Sequence, residues 1–258
     1  MCEIFGSCTS TPVLLNELLK EFFSHGDAHP HGWGLAFPMA DMPVSCEKEP
    51  ENANKSNYLK HRLRAEIRTK GALAHIRLTT KGGLCYENTH PFMLKDRTGR
   101  SWTLVHNGTV FECPALDKYF FEQQGQTDSE RILCHLIRRI NERQNAAGHP
   151  LNAEERFQVL ETTIEEIVPG NKLNLLIHDG KVLYAHTNYK NSLYISRKEN
   201  EVYFSTRPLH FGHWDPLPMN TLISCENGRL LKSGTAHQHE FFDDAEKMRL
   251  LFLDYSGL

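Results

Sequence analysis

MCEIFGSC, residues 1–8, places a cysteine at the second position and follows it with β-forming residues that read as a strand. An initiator methionine is usually trimmed when its neighbour is small. Cys2 would then be the terminal residue, carrying a free α-amine beside its own thiol. Alone, a second-position cysteine is equally an accident of sequence, and the rest of the chain has to decide.

Working outward, Thr11 and Pro12 predict an N-cap and first-turn proline for a helix through LLNELLKEFF, residues 14–23. HPHGWGLAF (29–37) is expected to turn on Gly32 and Gly34 into a second apolar run, and residues 41–57 to form a loop. NYLKHRLRAEIR (57–68) reads as helical. Strands are predicted for GALAHIRLTT (71–80), SWTLVHNG (101–108), NKLNLLIHDG (171–180), KVLYAHT (181–187), SLYISR (192–197) and EVYFST (201–206), several in hairpin-like succession. Two further helices open on capping-box patterns, Thr127 with Glu130 and Asn152 with Glu155. No internal repeat or linker interrupts the chain. The expected product is one domain over residues 1–258, an α+β fold of two mainly antiparallel sheets with helices packed outside them.

Composition narrows the function classes. With 40% hydrophobic and 24% charged residues the chain is ordinary for a globular protein. Its 29 basic and 32 acidic residues leave a net charge of -3, so no nucleic-acid-binding field is expected. No apolar run approaches the roughly 20 residues of a membrane span. The N-terminus lacks a secretory pattern. Seven cysteines without paired spacing suggest neither a disulfide framework nor a zinc knuckle, and a cytoplasmic location fits.

Four stretches hold polar residues where a core strand would not ask for them. In AHIRLTT (74–80), Arg77 ends an apolar run; its planar fork suits a carboxylate, although a salt-bridged strand end reads the same way. ENTHPF (87–92) is a structured polar turn in which His90 either lines a pocket or satisfies a loop carbonyl. VHNG (105–108) is by default a turn. Its functional reading is an oxyanion hole, with the Asn107 amide and the Gly108 N–H as donors. In TDSE (127–130), Asp128 sits in a first helical turn, where the macrodipole favours a carboxylate in any case.

Each signal is weak alone. Met-Cys followed in order by HGWG, AHIRLTT, ENTHPF, VHNG and TDSE resembles the class II glutamine amidotransferases, N-terminal-nucleophile hydrolases, and in particular the stand-alone bacterial members. The motifs lie within residues 1–130. The resemblance implies a four-layer αββα sandwich and an enzyme that hydrolyses the γ-amide of glutamine through a cysteine γ-glutamyl thioester. It implies Cys2 as nucleophile, with its α-amine as base once Met1 is removed. By the same resemblance Asn107 and Gly108 form the oxyanion hole, Arg77 and Asp128 hold the α-carboxylate and α-ammonium, and Thr80 and His90 support the pocket. No cofactor and no metal are implied. The partners are a small-molecule substrate and, possible for this class, a separate ammonia-acceptor protein. Lys81 and His31 depart from the relatives' pattern, which leaves the leaving group open. Hydrolysis of another γ-glutamyl compound, as in glutathione breakdown or ergothioneine formation, is the alternative. Lower alternatives are a silent binding module and a metal site on His25, His29, His31, His237 and His239.

Overall fold

A computed structural model describes residues 2–38, 44–79 and 82–244. In chain order its strands begin with β1 (Glu3–Leu14), β2 (Trp33–Phe37), β3 (Ser45–Glu49), β4 (Arg68–Ile76), β5 (Phe92–Lys95) and β6 (Ser101–Thr109). They continue with β7 (Lys172–His178), β8 (Leu183–Thr187), β9 (Tyr194–Lys198), β10 (Glu201–Ser205), β11 (Asp215–Pro216), β12 (Ile223–Glu226) and β13 (Arg229–Ser233). The α-helices are α1 (Asn16–Ser24), α2 (Asn57–Arg62), the single turn α3 (Pro114–Asp117), α4 (Asp128–Ala147) and α5 (Ala153–Ile167).

The described strands form two antiparallel sheets. One has seven strands in the order β11-β9-β10-β1-β4-β2-β3, and the other six in the order β13-β12-β8-β7-β6-β5. Three apolar cores stack them into layers. Ile4 and Leu73 of the larger sheet meet Val105, Leu176 and Leu183 of the smaller one between the sheets. On the far side of the larger sheet, Phe5, Ala74 and Ile76 pack against Leu19, Phe22 and Phe23 of α1. On the far side of the smaller sheet, Leu104, Leu175 and Ile177 pack against Ile132, Leu136, Leu160 and Ile164 of α4 and α5. This is the αββα sandwich. Central strands are buried on both faces, so EIFGSC reads as a continuous apolar and small-residue run without alternation. Among the described residues, no helix is long and apolar enough to cross a membrane.

Local expectations differ from the structure in four places. Thr11 and Pro12 do not start a helix: β1 runs on through them to Leu14, after an irregularity between Cys8 and Val13 that leaves Pro12 out of the ladder to β4. An irregular stretch is where a strand tolerates a residue with no N–H. Helix α1 starts instead at Asn16, whose side chain donates to the carbonyls of Leu63 and Ala65 and accepts from the Ile67 amide, so tertiary bonds fix the boundary. The expected loop 41–57 carries β3, paired with β2 from Trp33↔Glu49 to Phe37↔Ser45; residues 39–43 lie outside the described residues. The helix from Asn57 ends at Arg62, because the chain must be extended by Arg68 to pair with Leu14.

Gly34 is the fourth difference. It lies inside β2, opposite His75, rather than at a turn. A Cβ on Gly34 would overlap the His90 carbonyl oxygen, so glycine lets the ENTHPF turn lie directly on the sheet. Gly34→Ala is expected to cost about 3 kcal/mol of stability through overpacking. Urea unfolding checks this, and an unchanged midpoint would show that the turn is free to move away.

Candidate active site

β1 lies between β4 and β10, and its pairing with β4 puts Glu3 opposite Ile76. Cys2 therefore falls beside the chain just beyond Ile76, and its Sγ is 3.4 Å from both the amide nitrogen and the carbonyl oxygen of Leu78. The thiol is half-buried. Burial pushes its pKa up, and the Leu78 backbone hydrogen bond and the Arg77 charge pull it down; the Asp128 charge pushes it up. Arg77 and Asp128 are thus the charged side chains felt at this sulfur.

Arg77 is buried, and its guanidinium anchors the segment that follows β4. Nη1 donates to the Gly83 carbonyl at 3.0 Å, and Nη2 to Thr79 Oγ1 at 2.9 Å and the Gly82 carbonyl at 3.1 Å. His31 closes the other side, its Nδ1 accepting from the Thr79 amide at 2.9 Å. Burial, then the Arg77 charge, lowers the His31 pKa and keeps Nδ1 available as that acceptor. Thr80 and Lys81, like Met1, lie outside the described residues.

The oxyanion candidates are in strand conformation, not in a turn. Asn107 and Gly108 pair with Asn174 and Leu173 of β7. Asn107 is buried, and its Oδ1 has no hydrogen-bond partner among the described residues. A Cβ on Gly108 would overlap the Lys172 carbonyl and the His106 ring, so this position admits only glycine. His106 Nε2 lies 3.2 Å from the Lys172 carbonyl, which can only accept, so Nε2 carries the proton. Nδ1 then accepts from Ser129 Oγ at 2.9 Å. Burial lowers the His106 pKa, in keeping with that neutral tautomer.

Asp128 opens α4 one residue after its N-cap, Thr127, whose side chain accepts from the Glu130 amide. Glu130 does not complete the capping box; its carboxylate accepts from the amides of Gln124 and Gly125. Asp128 is buried, with Oδ2 accepting from the Val110 amide at 2.7 Å and Oδ1 from the Ser129 amide at 2.9 Å. Those bonds tie α4 to the end of β6, two residues past Gly108. A carboxylate offers about four lone-pair sites, so it retains capacity for a cation.

His90 is buried and stacks on His75, with ring centroids 4.0 Å apart and planes 19° apart. None of the four ring nitrogens meets a hydrogen-bond partner within the described residues. Burial holds both rings well below the ordinary imidazole range, reinforced at His75 by the Arg77 charge and at His90 by His75, His106 and Arg77. The turn carrying His90 is clamped by Lys48, which donates to the Thr89 carbonyl at 2.6 Å.

Arg77 and Asp128 thus both act on the Cys2 sulfur, and Asp128 is in turn tied to the chain two residues past Gly108. Reading the sequence alone missed the brackets that hold them: His31, Lys48, His75, His106 and Ser129. Of these only Lys48 lay outside the quoted motifs; His31, His75, His106 and Ser129 fall in HGWG, AHIRLTT, VHNG and TDSE. The histidines of HGDAHPHG disperse: His25 and His29 face Glu3 at 2.7 and 3.8 Å, and His31 serves Thr79. Among the described residues no group of three or more His, Cys, Asp or Glu side chains is arranged to hold a metal.

The family model described as "Glutamine amidotransferases class-II" matches residues 1–207. The chain belongs to the class II glutamine amidotransferases. An uncharacterized protein of Methanocaldococcus jannaschii is 31% identical over 214 residues, covering 82% of this chain and 56% of that protein. A protein of Escherichia coli named as a glutamine amidotransferase, YafJ, is 28% identical over 201 residues, covering 77% of each chain. Solved structures show the same amidotransferase fold. A predicted glutamine amidotransferase of Pseudomonas aeruginosa superimposes with a TM-score of 0.63 at 21% identity, covering 90% of this chain and 100% of that one. The glutamine phosphoribosylpyrophosphate amidotransferase of Bacillus subtilis gives 0.67 at 17% identity, covering 92% of this chain and 50% of that one. This chain therefore spans about half the length of the archaeal relative and of the Bacillus enzyme.

Buried histidines give this amidotransferase a defined acid response. Burial lowers His178 to about 4 and His186 to about 3, from an ordinary value of 6.5. Such a ring takes its proton far more readily in the unfolded chain. Stability is therefore complete above pH 6.5 and lost as pH falls below it, by about 2 kcal/mol per histidine at pH 5. His75 and His90 act in the same direction. Denaturant unfolding across pH 5–7 is expected to show a monotonic fall toward acid.

Proposed function

We propose that this chain is a glutaminase of the amidotransferase type, cleaving the γ-amide of glutamine through Cys2. The reading is supported by a thiol that feels a buried arginine and a buried aspartate, the aspartate bonded to the chain two residues past an Asn-Gly pair held in a strand. The Arg77 cation and the Asp128 anion would fix the two ends of an α-amino acid and bring its side-chain amide over Cys2. Removal of Met1 leaves an α-amine next to the thiol, with an ordinary pKa of about 7.7–8.0. That amine takes the thiol proton, directly or through water, as sulfur attacks the amide carbon. The tetrahedral oxygen accepts from the Asn107 amide and the Gly108 N–H. The C–N bond then breaks, the amine's proton goes to the leaving nitrogen, and ammonia departs to water or to a separate acceptor protein. Water hydrolyses the thioester and releases glutamate.

Burial raises the Cys2 thiol, so little thiolate exists before substrate arrives, and a base beside it is needed. Nothing in this machinery touches the departing amine. Any γ-glutamyl amide would be handled the same way up to that point.

Glutamate release from glutamine, with the N-terminus read by intact mass, tests the reading. Met1 is expected to be absent from active protein, and Cys2→Ala to be inert. Asn107→Ala should lower kcat by about 10²–10³ with a smaller change in KM, since the oxyanion exists only after attack. Undiminished turnover by Cys2→Ala would overturn the mechanism.

A further inference from the structure

Two amide side chains that the proposed chemistry does not use, Asn88 and Gln126, meet on one residue of the segment behind Arg77. Asn88 closes the short turn Tyr86–Asn88 and is fully buried. Its Nδ2 donates to the Gly83 carbonyl at 3.1 Å, the same oxygen that accepts from Arg77 Nη1 at 3.0 Å. Its Oδ1 accepts from the Gln126 amide at 2.7 Å. Gln126 reaches back with its own side chain, Oε1 accepting from the Gly83 amide at 3.0 Å and from Asn88 Nδ2 at 3.4 Å. Both backbone groups of Gly83 are thereby held, and Gln126 lies two residues before Asp128.

This clasp is fixed from both sides. Lys48 of β3 donates to the Thr89 carbonyl at 2.6 Å and to the Pro91 carbonyl at 3.3 Å, so the turn that carries Asn88 is tied to the larger sheet. Glu130 of α4 accepts from the Gln124 and Gly125 amides at 2.8 Å each, which holds the chain before Gln126 against its helix. A Cβ on Gly125 would overlap Asn88 Oδ1, so the two segments approach closely. A line of hydrogen bonds therefore runs from the Arg77 guanidinium through the Gly83 carbonyl and Asn88 to the Gln126 amide, at the entrance to α4. An arginine side chain has many rotamers to lose, and a fixed carbonyl is what gives its fork a direction.

We propose that Asn88 and Gln126 are positioning residues that set Arg77 against Asp128, so that an α-amino acid meets both charges at one fixed spacing. The proposal rests on the glutaminase reading above, in which those two side chains take the α-carboxylate and the α-ammonium. Their α-contacts are the same before and after sulfur attacks the distant amide. Loss of the clasp therefore weakens ground state and transition state alike, and it raises KM while leaving kcat in place.

Steady-state glutamate release from glutamine tests this, alongside the rate at which iodoacetamide alkylates Cys2, read by peptide mass. Iodoacetamide has no α-groups, so it reports the thiol and its base without the clasp. Gln126 is exposed, and Gln126→Ala keeps the fold even if Asn88→Ala does not. Each is expected to raise KM about tenfold, the loss of one or two hydrogen bonds, with kcat and the alkylation rate within about twofold of wild type. Gln126→Glu keeps the acceptor for the Gly83 amide and should hold KM within about twofold of wild type. Asn88→Asp keeps the acceptor for Gln126 but sets an oxygen against the Gly83 carbonyl, so it should behave as Asn88→Ala. An unchanged KM in Gln126→Ala, a fall in its kcat at constant KM, or slower alkylation of its Cys2 would overturn the positioning role and leave the glutaminase reading standing. Wild-type protein that is alkylated at Cys2 yet releases no glutamate would overturn that reading and this inference with it.

Discussion

The position of one sulfur depends on β1 being paired on both sides. β4 runs along one edge from Glu3↔Ile76 to Leu14↔Arg68, and β10 along the other from Phe5↔Ser205 to Thr9↔Glu201. Ile4 is further held by mutual bonds with Thr206, whose amide donates to its carbonyl and whose hydroxyl accepts from its amide. A terminal residue normally frays. Here the strand behind it is fixed in register, so Cys2 can be held within hydrogen-bond reach of Leu78 without a bond of its own in the ladder.

Around that sulfur, charge is organised by burial. Arg77 is a buried cation whose guanidinium meets backbone carbonyls and a hydroxyl, which keeps the charge and fixes its direction. His31, His75 and His90 feel that charge and burial together, and all three pKa values are lowered. Asp128 is matched by backbone amides rather than a counter-cation. Arg77 and Asp128 therefore put one positive and one negative side chain to bear on the Cys2 sulfur, beside rings that burial keeps neutral.

The smaller sheet contributes through close approach. Gly108 lets the Lys172 carbonyl and the His106 ring come into contact distance, and His106 passes the link to Ser129 at the start of α4. A helix, two strands and a neutral imidazole are thereby locked in one unit. Such rigidity suits the donor role proposed for Asn107 and Gly108, since preorganised donors act without rearrangement as charge develops.

No residue of the candidate site was legible alone: Cys2, Arg77, Asn107, Gly108 and Asp128 each had a plain structural reading, and only the order of their motifs along the chain set them apart. The doubly buried strands and the two long helices were legible directly, because their apolar spacing and caps are local properties. Boundaries set by distant contacts were not: Pro12 looked like a helix start until β4 claimed the strand beyond it, and Gly34 looked like a turn until His90 was found lying on it. Nor could local pattern reveal the partners of His31, His75, His106 and Lys172, which lie far away in the chain. Sequence by itself determined which segments are apolar or capped and singled out the side chains proposed to carry chemistry, since those depend on residue type, order and near neighbours. Only the tertiary structure decided that Arg77 and Asp128 both act on the Cys2 sulfur, because burial and pairing between distant strands are properties of the assembled sandwich.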